Sequence, residues 1–183
     1  MRIISGTARG TKLYTLEGDN TRPTLDRVKE SVFNILQEKI YGSTFLDIFG
    51  GSGAIGLEAA SRGASKVVLC DNSNEACEII KKNIEKTHLQ SKVELYNLDY
   101  KIVLEKKIGT YKFDIIYIDP PYKTDYGIQV LELLKDKEIN ETQIIIETDN
   151  IDKYLPYIDK YGYGIEKNKK YGRASLLIIK AKN

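Results

Sequence analysis

The sequence has 183 residues, 42% of them hydrophobic and 30% charged, with a formal net charge of +2. That length suits one well-buried domain, the composition excludes a disordered chain, and no apolar run approaches the roughly 20 residues that cross a bilayer. Charge is spread unevenly: residues 1–29 carry +3 and residues 160–183 carry +6, against −7 between them. Such asymmetry points to a polyanionic partner gripped by the two ends, although solvated lysines also decorate ordinary surfaces.

The chain opens with a segment, residues 2–16, that reads as a small hairpin with turn glycines at Gly6 and Gly10. It lacks the long apolar core and small-residue cleavage site of a signal peptide. Pro23 stands where a helix opens, with Val28, Val32, Phe33, Ile35 and Leu36 on its apolar face. Residues 44–49 (TFLDIF) read as a buried strand, followed by a glycine turn at 50–53 and a helix over 54–61 that Gly63 ends. A second strand covers 66–70 and closes at Asp71, and an amphipathic helix follows over 74–86 with Ala76, Ile79, Ile80, Asn83 and Ile84 on one face. Further strands are expected at 92–96, 113–118 and 143–147, with a helix over 128–134. Residues 162–167 and 174–180 then pair as an antiparallel hairpin across a turn at 168–172. Strands alternating with helices predict an α/β fold with a mostly parallel sheet covered on both faces. The expected organisation is a single domain over 1–183, an N-terminal extension over 1–40 leading into a core over 41–183. Cys70 and Cys77 form no CxxC pair and suit buried thiols in a reducing cytoplasm.

Gly51, Ser52, Gly53 and Gly56 fall in a G-x-G-x-x-G pattern after a strand and at the start of a helix. Glycines there let the backbone turn tightly and approach a ligand. Asp71 follows Gly51 by 20 residues and, with Asn72 beside it, stands where a carboxylate accepts hydrogen bonds from ribose hydroxyls. The pair predicts an adenosine-containing cofactor without choosing between NAD and S-adenosylmethionine. Asp47 interrupts an apolar strand, and a buried carboxylate is costly unless bonded. It is expected to brace the glycine turn or to reach the cofactor's amino end. Asp99 stands either near the adenine or as the N-cap of a helix over 100–107.

Asp119, Pro120, Pro121 and Tyr122 end the fourth strand at the carboxyl edge of the sheet. Two prolines stiffen the chain and leave the Pro120 carbonyl beside the Asp119 carboxylate. Two fixed acceptors match the two hydrogens of an exocyclic amine, whose lone pair is otherwise delocalised into the base ring. Bonding both hydrogens favours a pyramidal nitrogen that can attack a methyl group. Tyr122 would stack on an extruded base.

Residues 45–64 (FLDIFGGSGAIGLEAASRGA) closely resemble the first motif of the RsmD family, bacterial methyltransferases that modify N2 of a guanine in small-subunit ribosomal RNA. The opening MRIISG, residues 21–36 (TRPTLDRVKESVFNIL), the DPPY corner and the closing KYGR of 170–173 agree with it. The resemblance implies a Rossmann-like methyltransferase with a seven-stranded, mostly parallel sheet whose last strand is antiparallel. It implies S-adenosylmethionine as cofactor, with Thr21, Arg22 and Pro23 lining its site, Gly51, Ser52 and Gly53 on the methionine moiety, Asp71 on the ribose and Asp99 near the adenine. Asp119 would be catalytic, and Arg2, Arg9 and Lys12 would join an RNA-binding surface. The implied partner is ribosomal RNA or the assembling small subunit.

Lys167, Lys169, Lys170 and Arg173 are candidates for phosphate contacts or for a solvated hairpin tip. His88, the single histidine, is expected to cap a helix or face solvent, and no His/Cys/Asp cluster has metal spacing. The expected species is a cytoplasmic monomer that binds neither metal nor membrane. A DNA adenine-N6 methyltransferase uses the same corner, a non-catalytic RNA-binding assembly factor would retain only the pocket, and an NAD-dependent oxidoreductase would have no use for the corner.

Overall fold

The computed structural model describes residues 1–16, 23–121 and 123–182. Thr21, Arg22 and Tyr122 lie outside the described residues, and Pro23 enters only as the first residue of a helix. In chain order the elements are α1 (Pro23–Ile35), β1 (Thr44–Asp47), α2 (Ala54–Ser61), β2 (Lys66–Asp71), α3 (Asn74–Thr87), β3 (Val93–Asn97) and α4 (Tyr100–Lys107). They continue with β4 (Ile115–Ile118), α5 (Tyr126–Leu134), β5 (Gln143–Thr148), α6 (Leu155–Lys160), β6 (Tyr163–Tyr171) and β7 (Ala174–Ala181).

The strands form one seven-stranded sheet in the order β3-β2-β1-β4-β5-β7-β6. The first five pair in parallel, and β7 runs antiparallel to both β5 and β6. Every residue of β4 and β5 is buried, as near-continuous apolar strands are when helices cover both faces. On one face Val28, Phe33, Leu57 and Ile80 of α1, α2 and α3 pack with Phe45, Tyr117 and Ile145. On the other Val103, Leu131 and Ile158 of α4, α5 and α6 pack with Leu46, Ile116 and Ile146. Strand order reverses between β1 and β4, which opens a crevice at the carboxyl edge of the sheet.

The N-terminal hairpin is held by one antiparallel bridge, Arg2 with Lys12, and by bonds from Ile3 N to Thr11 O (3.0 Å) and Leu13 N to Met1 O (3.0 Å). Two bridged residues would not stand alone in water. The hairpin is fixed instead by α2. The fully buried Glu58 accepts from Ile4 N (2.7 Å), Ser5 N (3.0 Å) and Arg62 Nε (2.7 Å). Ser61 Oγ accepts from Ala8 N (2.9 Å) and donates to Ser5 O (2.6 Å).

Several expected boundaries need correction: β1 stops at Asp47 instead of 49, and α5 begins at Tyr126 instead of 128. The turn placed at 168–172 is strand: β6 runs through Lys167, Lys169 and Lys170 to Tyr171, and only Gly172 and Arg173 turn, with φ 61 at Gly172. A ladder is bonded through its backbone, so a polar edge strand pairs as well as an apolar one, and a bulge between Ile165 and Lys167 absorbs Glu166. The fourth strand begins at Ile115 instead of 113, and the Asp114 carboxylate just before it accepts from Thr44 N (2.7 Å). The short α6 had no clear apolar period and was not expected.

Candidate active site

A cavity of about 430 Å³ opens at the carboxyl edge, over the ends of β1, β2, β4 and β5. Four carboxylates reach it, Asp47, Asp71, Asp119 and Glu147, one from the end of each strand or just beyond it. Pockets of this size at a switch point hold cofactor-sized ligands, and this one favours a ligand bearing positive charge and hydroxyl groups.

The half over β1 and β2 is organised by backbone donors. Gly51 takes φ 56, and a Cβ there would meet nothing within 4 Å, so the turn shows bare backbone to the cavity. Gly56 serves packing: a Cβ on it would lie 2.6 Å from Leu69 Cδ2, so α2 approaches β2 only because the side chain is absent. Asp71 accepts from Gly51 N (2.9 Å) and Ser73 N (2.8 Å), which ties the turn to the end of β2. Asp47 Oδ2 accepts from Gly56 N (3.2 Å), while its Oδ1 is buried and bonds to nothing among the described residues. Burial pushes this carboxyl up to about 7, against the pull of the backbone donors, and the Asp71 charge adds to the rise. Asn83 is fully buried and closes the arrangement from α3. Its amide nitrogen donates to the carbonyls of Ser52 (2.9 Å) and Tyr14 (2.9 Å), and its oxygen accepts from Tyr14 N (2.8 Å). The hairpin and the glycine turn are therefore fastened to the same side chain.

The half over β4 and β5 relies on side chains. Asp119 and Pro120 line the cavity, and among the described residues no donor meets the Pro120 carbonyl. Beside them Tyr117 and Glu147 are buried, and the Tyr117 hydroxyl donates to Glu147 Oε2 in a short contact. Burial raises both groups above their ordinary values, and for Glu147 the bond from Tyr117 works in the opposite direction. Phe49, Tyr100 and Tyr126 form an aromatic group on the cavity wall, with centroids 5.3, 5.6 and 6.4 Å apart, and Tyr100 donates to Gln129 Oε1 (2.6 Å). Lys29 enters from α1, 2% exposed, with its ammonium on the Arg2 carbonyl and 3.5 Å from Glu58. Its pKa is lowered, because desolvation outweighs the attraction of Glu58.

Of the residues singled out in the sequence, Asp47, Gly51, Ser52, Asp71, Asn72, Asp119 and Pro120 come together on this cavity. Gly53 lies behind it, opening α2 in a left-handed conformation (φ 78). Asp99 is placed otherwise. It caps α4, accepting from Lys101 N (2.9 Å), while its neighbours Leu98 and Tyr100 line the wall. Arg2, Arg9 and Lys12 are exposed on the hairpin, and Lys167, Lys169, Lys170 and Arg173 are exposed along β6 and its turn. The β6–β7 turn lies at the carboxyl edge, since Thr148 at the end of β5 pairs with Ser175. His88 caps α3 with φ 56. Cys70 and Cys77 are free and buried, with Cys70 pushed up to about 12 by burial. Among the described residues no group of His, Cys, Asp and Glu could hold a metal, and no helix is long and apolar enough to cross a membrane.

Sequence reading missed Lys29, Asn83, Tyr117, Glu147 and the aromatic wall. Two signals were available. Glu147 ends an apolar run just as Asp71 and Asp119 do, and Asn83 is a polar residue at an apolar-stripe position.

The whole architecture has close counterparts. Residues 1–180 match the family model described as Conserved hypothetical protein 95. The Ribosomal RNA small subunit methyltransferase D of Haemophilus influenzae is 34% identical over 176 residues, covering 96% of this chain and 91% of its own. The protein of the same name from Escherichia coli K12 is 34% identical over 160 residues, covering 86% and 79%. Among solved structures, the yhhF protein of Escherichia coli superposes with a TM-score of 0.85 at 28% identity, over 100% of this chain and 98% of that one. The chain belongs to the ribosomal RNA small subunit methyltransferase D family, and is an enzyme of the methyltransferase class.

Proposed function

We propose that the chain transfers a methyl group from S-adenosylmethionine to the exocyclic N2 amine of a guanine in small-subunit ribosomal RNA, naked or within an assembling subunit. The observation that carries this reading is the shared cavity: the Asp119–Pro120 corner opens onto the same space as the glycine turn, Asp47 and Asp71.

The residues present fit the cofactor. The Oδ1 of Asp47, buried and without a bond among the described residues, is an acceptor for an ammonium group, Asp71 and Asn72 stand at the end of β2 for ribose hydroxyls, and Phe49, Leu98 and Tyr100 offer an apolar wall for a purine. When bound, S-adenosylmethionine supplies an electrophilic methyl group on a sulfonium. The corner prepares the nucleophile. Asp119 and the Pro120 carbonyl accept the two N2 hydrogens, which frees the nitrogen lone pair from the ring. Once methylated, the nitrogen would carry a surplus proton, which the Asp119 carboxylate would accept and pass to water. Lys29, Met1 and the aromatic group also line the cavity. Exposed Arg2, Arg9, Lys12, Lys169, Lys170 and Arg173 supply phosphate contacts at the two basic ends of the chain.

The test is nucleoside mass spectrometry of 16S ribosomal RNA and small subunits from cells lacking the gene, before and after incubation with the purified protein and S-adenosylmethionine. One new N2-methylguanine, mapped to a single position, is expected. Methylation only of DNA adenine, or cofactor binding without turnover on either RNA substrate, would overturn the proposal.

A further inference from the structure

Asp119 and Pro120 explain how an amine is held, but an amine is common to guanine, adenine and cytosine. What separates guanine is the ring position beside the amine. N1 of guanine carries a hydrogen, whereas N1 of adenine and N3 of cytosine are bare acceptors. A guanine site therefore needs one more acceptor close to the pair that holds N2.

Glu147 meets that requirement. It is the penultimate residue of β5, the strand next to β4, and lines both the main cavity and the groove behind Pro120 and Pro121. It is 7% exposed, and one of its oxygens, Oε2, is engaged by the Tyr117 hydroxyl. Among the described residues no donor meets Oε1, and the residue lines the cavity. Tyr117 is itself buried in β4 two residues before Asp119, so the phenol locks the carboxylate's rotamer against the strand that carries the amine acceptors. The two carboxylates thus approach the same end of the crevice from adjacent strands. Holding a carboxylate in so dry a place is costly and gains nothing for packing, since an apolar side chain would fill the same space.

We infer that Glu147, clamped by Tyr117, accepts the N1 hydrogen of the target base and so restricts methyl transfer to guanine. The inference rests on the guanine-N2 reading above. It makes Glu147 a specificity-determining residue and Tyr117 its positioning residue. An adenine presented to the site would set its N1 lone pair against the carboxylate, leaving a buried charge unpaired and two acceptors opposed.

The discriminating substrate is 2-aminopurine, which has the same amine at C2 but no hydrogen on N1. The RNA is 16S ribosomal RNA with the mapped guanine replaced by 2-aminopurine through splinted ligation, assayed beside the unmodified RNA. Wild-type protein is expected to prefer guanine by about 100-fold or more in kcat/KM. Glu147→Gln, whose amide can donate to a bare N1, should lose about 10–100-fold on guanine while holding or gaining activity on 2-aminopurine. The fluorescence of 2-aminopurine, which rises on unstacking, gives a readout independent of turnover: the variant should extrude the analogue at lower protein concentration than the wild type. Equal losses on both RNAs, or guanine turnover unchanged by the substitution, would overturn the inference. If Glu147→Gln does not fold, Tyr117→Phe decides: a preference narrowed by about three- to tenfold supports the clamp, and an unchanged preference overturns it. A wild-type protein that methylates no guanine at N2 would overturn the underlying reading, and this inference with it, before any variant is compared.

Discussion

The two halves of the cavity are built in opposite ways. Over β1 and β2 the acidic groups are gripped by backbone N–H groups, Asp47 by Gly56 and Asp71 by Gly51 and Ser73, and a buried Asn83 braces the turn from behind. Over β4 and β5 the prolines supply no N–H, and a short contact joins two side chains, Tyr117 and Glu147. Backbone donors fix a shape for every ligand of one kind, which suits a cofactor that never changes. Side-chain acceptors on a stiff bend can be re-specified one residue at a time, which suits recognition of a base. The comparison predicts that changes in the second half act on turnover, and changes in the first on affinity and stability.

The largest expected effect is at Asp119. Asp119→Ala should lower kcat by about 10³-fold while leaving cofactor affinity, measured by calorimetry, within a few-fold. Asp119→Asn keeps one acceptor oxygen and should retain more activity than the alanine variant. Equal loss of cofactor binding and turnover in Asp119→Ala would erase the proposed division between the halves.

Asp47 comes next, and its signature is a pH dependence. The unfolded carboxyl titrates near 3.8 and the folded one near 7, so between those values the native state holds a proton that the unfolded state has lost. The stability this group contributes is complete below pH 3.8 and is lost as pH rises through 7. Asp47→Asn mimics the protonated form, so its advantage over wild type should grow to a few kcal/mol between pH 5 and pH 8 in urea titrations. A cationic ligand group at Oδ1 reverses the preference. Cofactor binding at pH 6 should then release about one proton, read from calorimetry in buffers of different ionisation enthalpy. A flat difference in stability across this range, with no proton release, would show that Asp47 is charged throughout.

Asn83→Ala removes three hydrogen bonds and leaves the Tyr14 amide and the Tyr14 and Ser52 carbonyls without that partner. A loss of about 2–3 kcal/mol in stability is expected, with weaker cofactor binding and kcat at saturation nearly unchanged. A fall in kcat with affinity intact would place Asn83 with the second half.

How much of this was legible in the sequence divides along similar lines. The glycine turn, Asp71 and Asp119 were readable because each is a local break in an apolar run, and parallel strands put every such break at one edge. Asp47 was readable for the same reason. Asn83 showed only as a polar residue on an apolar stripe, because its partner Tyr14 lies 69 residues away and only the folded hairpin brings the two together. Lys29 drew no reading, yet it falls on the stripe of Val32, Phe33 and Leu36, where α1 covers the sheet. Glu147 carried the signal that identified Asp71 and Asp119, a carboxylate closing a buried strand, but its tyrosine partner is on a different strand. The edge strand β6 was mistaken in part for a turn because lysines line it, although its backbone ladder to β7 is indifferent to them.

The smallest effect tests whether α3 influences the site through Asn83 alone. His88 ends that helix in a left-handed conformation, φ 56 and ψ 37, with its N–H on the Glu85 carbonyl and that of Leu89 on Ile84. This is the position where glycine avoids the Cβ strain, and histidine bears it. The His88 side chain is exposed, so little packing is lost on its removal. His88→Gly trades that strain against the greater freedom of glycine in the unfolded chain, and should raise stability by up to about 1 kcal/mol, a Tm increase of about 2–4 °C in a chain of this size. Cofactor affinity and kcat should stay at wild-type values. A shift in affinity from this distant end would mean that α3 moves as a rigid lever on the glycine turn, and that the first half of the cavity is less firmly set by its backbone donors than its hydrogen bonds imply.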